Sequence, residues 1–166
     1  MLPLFSVVLL HSASALPTLK LAWSLEGVLK NPESVIFDSK TQAYYVSNVN
    51  GDGTAKDGNG FISQVDSLGK VKKANWVEGL NAPKGLALLG NTLWVSDIDE
   101  LVQIDIEKAA VVKKIPFKGA KFLNDVAVTA EGIVFVSDTA GNQVYKYDGT
   151  NVSTLKAKGT LIPPMV

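Results

Sequence analysis

The sequence predicts an all-β fold: an incomplete β-propeller of about three four-stranded antiparallel blades plus the start of a fourth. Short apolar runs alternate with turn residues along the 166-residue chain. No segment keeps the 3.6-residue period of an amphipathic helix over three turns. The runs recur in the same order about every 40 residues, and four short strands per repeat of that length are typical of a propeller blade. A β-sandwich with coincidental spacing is the alternative.

Each repeat contains four predicted strands, and the second strand always ends in Ser followed by Asn or Asp. These pairs are Ser47-Asn48, Ser96-Asp97 and Ser137-Asp138. The predicted strands cover residues 34–37, 44–47, 62–66 and 71–77, then 85–88, 93–96, 101–105 and 110–116, then 125–128, 134–137, 143–148 and 152–156. Blades are therefore expected at about 32–80, 81–120 and 121–160, within a partial propeller domain of 16–166.

The N-terminus has the pattern of a secretory signal peptide. Residues 2–10 are almost wholly apolar, and Ala13-Ser14-Ala15 follows as a cleavage-site sequence. Residues 1–15 are therefore expected to be removed, which predicts a secreted or periplasmic protein without a membrane span. A buried first strand is the alternative. Removal would also discard His11, the only histidine, so we expect no Ser-His-Asp triad and no histidine metal ligand.

Charge and composition exclude several classes of function. Sixteen acidic residues balance sixteen basic ones, all of them Lys, so there is no basic excess of the kind that nucleic-acid binding requires. Cysteine is absent, which excludes disulfides, thiolate nucleophiles and cysteine-based metal sites. The remaining groups are carboxylates, amides, hydroxyls and lysines, so any metal would be held by oxygen.

The predicted topology brings two sets of polar residues to one end of the blades. The start of strand one and the end of strand two open on the same side, around the central mouth where ligands bind. The candidates there are Glu33, Lys84, Asn124 and Asp125 at the starts, and Asn48, Asp97 and Asp138 at the ends. Such oxygen ligands suit Ca²⁺, Mg²⁺ or Mn²⁺. Alternatively, the strand-end residues cap turns, Asn124-Asp125 is a turn pair, and Lys84 offsets the acidic ring.

Several short motifs resemble, in order and spacing, the family of senescence marker protein, gluconolactonase and luciferin-regenerating enzyme, which includes regucalcin. The resemblance covers about residues 25–150. It is carried by Pro32-Glu33 before Val35-Ile36-Phe37-Asp38, by Tyr45-Val46-Ser47-Asn48, by residues 56–63, by Phe122-Leu123-Asn124-Asp125 and by Val136-Ser137-Asp138. It implies a six-bladed propeller that hydrolyses lactones of the sugar class with a divalent metal, Ca²⁺ first, with Mg²⁺, Mn²⁺ or Zn²⁺ as alternatives.

The resemblance also implies roles for individual residues. Glu33 matches the family's metal-binding Glu and Asn124 its substrate-contacting Asn, with Asp125 and Lys84 as further substrate contacts and a lactone or sugar acid as ligand. The family's next metal-binding Asn would follow Pro163-Pro164, and its general-base Asp would lie beyond Val166. We therefore expect no catalytic residue in this chain and little hydrolysis by it alone.

Two further expectations remain. A non-catalytic propeller that presents rim loops, such as residues 50–60, to a protein or glycan is the alternative function. Three blades would also leave sheet edges open, which predicts self-association.

Overall fold

The structure is a computed structural model, and it describes residues 18–155. The predicted signal peptide, residues 1–15, and the predicted start of a fourth blade lie outside the described residues and stay predictions. All twelve regular elements of residues 18–155 are strands. In this part of the chain, no helix has the length and apolar character needed to cross a membrane.

The twelve strands form three separate four-stranded antiparallel sheets. Blade one contains β1 (Pro32–Asp38), β2 (Ala43–Asn48), β3 (Gly60–Asp66) and β4 (Val71–Leu80). Blade two contains β5 (Pro83–Leu89), β6 (Thr92–Asp97), β7 (Glu100–Asp105) and β8 (Ala110–Pro116). Blade three contains β9 (Leu123–Val128), β10 (Val134–Asp138), β11 (Gln143–Tyr147) and β12 (Val152–Thr154). The predicted fold class, an incomplete propeller of four-stranded blades, is confirmed.

The first strands of the three blades lie side by side. Strand β5 packs between β1 and β9, so each sheet runs outward from a common centre in sequence order. This arrangement brings the starts of β1, β5 and β9 together at one end of the centre.

Two apolar cores fill the spaces between the blades. Alternate residues of a strand face opposite sides of the sheet, so each blade contributes one face to each neighbour. The core between blades one and two includes Tyr45, Ile62, Leu93, Val95 and Ile104. The core between blades two and three includes Trp94, Leu101, Val134, Val136 and Tyr145. Burying each such side chain stabilises the fold by about 1.5–3 kcal/mol.

The segment before β1 lies across the outer face of blade one, the face turned away from blade two. The Trp23 ring contacts Tyr44 edge-on, with 5.3 Å between ring centroids. It also covers Gly69, where an added Cβ would lie 2.6 Å from the indole ring, so only glycine allows this approach. No periodic pattern in the sequence predicts this contact.

Candidate functional site

A β-bulge recurs at the start of the inner strand of every blade. The pairing register shifts between Pro32 and Val35 in β1, between Pro83 and Leu86 in β5, and beside β9 where Asp138 pairs with Leu123. The residues in these bulges are Glu33-Ser34, Lys84-Gly85 and Asn124-Asp125. Bulges re-aim side chains and are frequent beside binding sites. All four residues predicted at the strand starts therefore lie in one repeated irregularity.

The structure brings three of these residues into electrostatic contact. Partial burial raises the pKa of the exposed Glu33 carboxyl above its ordinary value. The Lys84 ammonium opposes this rise in the pKa of Glu33, and the Asp125 carboxylate adds to it. Glu33, Lys84 and Asp125 come from three different blades, so their mutual influence places them around the common centre.

Lys84 is the buried member of this group, with 3% of its surface exposed. Its Nζ donates to the carbonyl oxygens of Gly53 and Ala82, both at 2.9 Å. It also lies 4.4 Å from the centroid of the Phe122 ring, a cation–π contact. Burial lowers the pKa of Lys84, while Asp97 and Glu33 favour its charged form. Lys84 thus links the loop of blade one to blades two and three.

Asn124 and Asp125 remain more accessible than Lys84. The Asn124 side chain is half-buried and its Nδ2 donates to Thr139 Oγ1 at 3.2 Å. The Asp125 side chain is exposed, and its Oδ1 accepts the backbone N–H of Val126 at 2.9 Å. Each side chain keeps a polar atom that these contacts do not use, which a ligand at the mouth could engage.

The predicted strand-end residues lie beside the strand starts, but their side chains are buried and bonded to the backbone. Asn48 Oδ1 accepts the N–H of Lys30 at 2.8 Å. Asp97 accepts the N–H groups of Asn81 and Ala82 at 2.8 and 2.7 Å. Asp138 accepts those of Lys121, Phe122 and Gly141, at 2.9–3.1 Å. This is the geometry of the capping alternative: each residue fixes the segment that leads into the inner strand of its own blade.

The two equivalent carboxyls, Asp97 and Asp138, differ in the direction of their pKa shifts. Burial raises the pKa of Asp97, and its two N–H donors only partly offset this effect. Burial also acts to raise the pKa of Asp138, but the N–H groups of Phe122, Gly141 and Lys121 outweigh it and the pKa lies below its ordinary value. Both side chains are nearly inaccessible to water, at 0% and 1% exposure. The difference arises because blade three, unlike blade two, has a neighbour on only one side among the described residues.

The serines that precede these residues connect successive blades, a role that the sequence analysis did not assign. Ser47 Oγ donates to the carbonyl of Lys84 at 2.7 Å, and Ser96 Oγ donates to that of Asn124. Their own blades supply an N–H to each hydroxyl, from Ser34 and Gly85. The signal was present as an invariant Ser in three repeats.

The described residues do not complete a metal site. Within residues 18–155, no three His, Cys, Asp or Glu side chains lie close enough together to hold one ion. Glu33 therefore offers a single carboxylate, and the nearby Lys84 ammonium would repel a cation. These groups are suited to binding a polar ligand that carries hydroxyl, carbonyl or carboxylate oxygens.

Comparisons with known proteins support the fold. No protein-family model matches the sequence, and no curated protein matches it either. A solved structure of streptogramin B lyase is similar with a TM-score of 0.62 and 10% identity, over 81% of this chain and 43% of that one. Virginiamycin B lyase from Staphylococcus aureus gives a TM-score of 0.59 and 11% identity over 81% and 43%. A chain of the nidogen/laminin complex gives 0.57 and 17% over 72% and 44%.

These similar structures are β-propeller proteins, and at such low identity they show the fold alone. This chain spans less than half the length of each of the three.

Proposed function

We propose that this chain contributes the ligand-binding wall of a propeller enzyme of the sugar-lactone hydrolase class. The observation that carries the proposal is the repeated bulge, which directs Glu33, Lys84 and Asp125 from three blades toward one mouth. The motifs around Glu33 and Asn124 that resemble the lactonase family support the choice of substrate class. In this proposal Asn124 and Asp125 contact the hydroxyl groups of the lactone or sugar acid.

The same proposal makes Glu33 one ligand of a divalent cation, Ca²⁺ before Mg²⁺, Mn²⁺ or Zn²⁺. A bound divalent ion would polarise the carbonyl of the lactone. Since the described residues supply only one carboxylate, we expect this chain to bind the ion weakly and to hydrolyse lactones slowly by itself. No step of the reaction is assigned to the residues of this chain beyond binding and orientation.

Isothermal calorimetry with CaCl₂ tests the role of Glu33. We expect a weak binding heat for the wild-type chain that Glu33→Gln abolishes, because the amide removes the charged ligand. Glu131→Gln is the matched control, since Glu131 is exposed in the turn after β9, at the other end of the blade. No heat from any of the three proteins, or equal heats from both variants, would contradict the assignment.

Hydrolysis is measured separately with a panel of aldonolactones. We expect rates close to the background rate for the chain alone. Turnover typical of an enzyme, of about 1 s⁻¹ or more, would show that the chain already contains a complete active site and would overturn this division of the site.

A second function, a binding propeller that presents its rim, is favoured by the shape of the loop between β2 and β3. This loop is mostly exposed, yet its own hydrogen bonds hold it. Asp52 Oδ1 accepts from both the N–H and the hydroxyl of Thr54 at 2.8 Å. Lys56 Nζ reaches Asp99 of blade two at 2.6 Å. Preorganised loops lose less conformational entropy on binding.

A glycan array separates the two functions. A binding propeller would give glycan signals that disappear when residues 52–58 are replaced by Gly-Ser repeats but persist in Glu33→Gln. The hydrolase proposal predicts the opposite dependence for calcium binding.

A further inference from the structure

The outer face of blade three carries residues that, in the other two blades, lie buried against the next blade. Tyr45, Trp94 and Phe135 occupy the same position, two residues before the conserved-in-repeat Ser. Tyr45 is 0% exposed and Trp94 is 7% exposed, whereas Phe135 is only half-buried. Phe135 therefore has the character of a residue whose covering blade is not among the described residues.

The serine of blade three shows the same difference. Ser47 and Ser96 are fully buried and donate to a carbonyl of the next blade. Ser137 is half-buried and accepts the N–H of Asp125 at 2.9 Å, as its two equivalents accept theirs. Within residues 18–155, no carbonyl accepts a hydrogen bond from its hydroxyl. Beside it lies a shallow groove that Ala127, Phe135 and Val144 line.

The outer face of blade one carries the complementary half of a blade junction. Leu86 and Val126 pack on the preceding blade and are 6% and 7% exposed, but their equivalent Val35 is 61% exposed. A groove of about 300 Å³ lies there, lined by Glu33, Val35 and residues of the preceding segment. Trp23 covers the end of the blade near Tyr44, opposite to Glu33, so Val35 stays accessible.

We propose that the outer face of blade three docks on the outer face of blade one of a second copy of this chain. Phe135 would pack near Val35, and the Ser137 hydroxyl would donate to the backbone carbonyl of Glu33, the position equivalent to Lys84 and Asn124. The occupant follows from the repeats. The two faces are the two halves of a junction that the chain already forms twice, between blades one and two and between blades two and three.

The symmetry of this contact predicts its stoichiometry. The contact joins two different surfaces, so it generates either a closed ring or an open chain of subunits. Two copies with three blades each give six blades, within the range of about four to eight in which propellers close. We therefore infer a two-fold dimer with two identical junctions. The inference depends on the fold and not on the proposed hydrolase function.

Sedimentation velocity over a range of protein concentrations tests the dimer. We expect a species of twice the 17.7 kDa chain mass to grow with concentration. Phe135→Lys and Val35→Lys should each remove it, because each places a charge in one half of every junction. Leu68→Lys is the matched control, since Leu68 is 83% exposed in the turn between β3 and β4. Near-ultraviolet circular dichroism establishes that each variant is folded.

Mixing the two variants identifies the faces that meet. Neither variant can pair with itself, but blade three of Val35→Lys and blade one of Phe135→Lys together form one unaltered junction. The mixture should therefore regain a dimer, weaker than that of the wild type. A wild-type protein that stays monomeric at all concentrations, a dimer that survives Phe135→Lys, or a folded mixture that does not associate would each overturn the proposal.

Discussion

The side-chain hydroxyl of Ser47 in blade one donates a 2.7 Å hydrogen bond to the backbone carbonyl of Lys84 in blade two. The same hydroxyl accepts the N–H of Ser34 at 2.9 Å, so one buried side chain satisfies two backbone groups on neighbouring blades. Lys84 is also the residue whose ammonium lies at the common centre. The contact that joins two blades therefore also fixes the backbone of the candidate site.

Replacing Ser47 by Ala should lower the free energy of unfolding by about 1–3 kcal/mol, since a buried N–H and a buried carbonyl both lose a partner. Ser137→Ala is the control in the same repeat position, and it loses a single bond to the half-buried Asp125 N–H. We expect the control to cost less, about 0.5–1.5 kcal/mol. Urea denaturation at low protein concentration compares them. Equal losses would show that the cross-blade bond adds no stability.

Close approach of β5 and β9 makes Gly85 sensitive to substitution. A Cβ at this position would lie 2.6 Å from both Asn124 O and Asp125 Cα, which are backbone atoms that cannot rotate away. Gly85→Ala should therefore cost about 1–3 kcal/mol through overpacking. Gly53→Ala is the control, because nothing lies within 4 Å of its added Cβ. Thermal unfolding distinguishes the two, and a neutral Gly85→Ala would contradict the packing of blades two and three.

Charge at the two buried strand-end carboxyls should affect stability differently. Asp138→Asn at neutral pH removes a charge that three backbone N–H groups stabilise, so we expect a loss of about 1–3 kcal/mol. Asp97→Asn should cost less, since burial already disfavours the charge there and raises its pKa. Blade one carries Asn48 at the same position.

The pH dependence follows from the lowered pKa of Asp138. Its unfolded form binds protons more tightly than its folded form, so its contribution is present above the ordinary pKa of 3.8 and is lost as pH falls through the lower folded value. The difference in stability between wild type and Asp138→Asn should therefore shrink in acid. A gap that is independent of pH would contradict this assignment.

Lys84 should control both the loop and the carboxyl of Glu33. Lys84→Met leaves the carbonyls of Gly53 and Ala82 without their donor, so limited proteolysis within residues 50–59 should become faster. It should also raise the pKa of Glu33 further, since the ammonium now lowers it. Carbon-detected NMR of the Glu33 carboxyl measures this pKa. Lys56→Met is the control, because Lys56 pairs with Asp99; equal effects of both variants would exclude a specific role for Lys84.

The repeated strands were predictable because antiparallel blades require the same alternation and the same turns three times. The Ser-Asp and Ser-Asn pairs marked that repeat correctly. Their bonds were harder to predict, since a carboxylate at a strand end can cap backbone N–H groups or face a ligand, and only the fold decides. Asp97 and Asp138 took the first course, with their oxygens bonded to the backbone.

Other features depend on contacts between distant parts of the chain. The Lys84 ammonium reaches Gly53, 31 residues earlier, and Trp23 covers Gly69. Neither contact belongs to a periodic pattern. The bulge at Glu33 and Lys84 was also hidden, because it changes the pairing of a strand without changing its apolar residues.

The central claim, a ligand site formed at the mouth by the repeated bulges, is tested most directly by NMR. The ¹⁵N-labelled chain is titrated with CaCl₂ and a sugar lactone, separately and together, because NMR detects weak binding to a partial site. We expect concentration-dependent shifts of the amides of Glu33, Lys84, Asn124 and Asp125, with the amide of Glu131 unchanged. Shifts confined to other surfaces, or no shifts at any ligand concentration, would contradict the account.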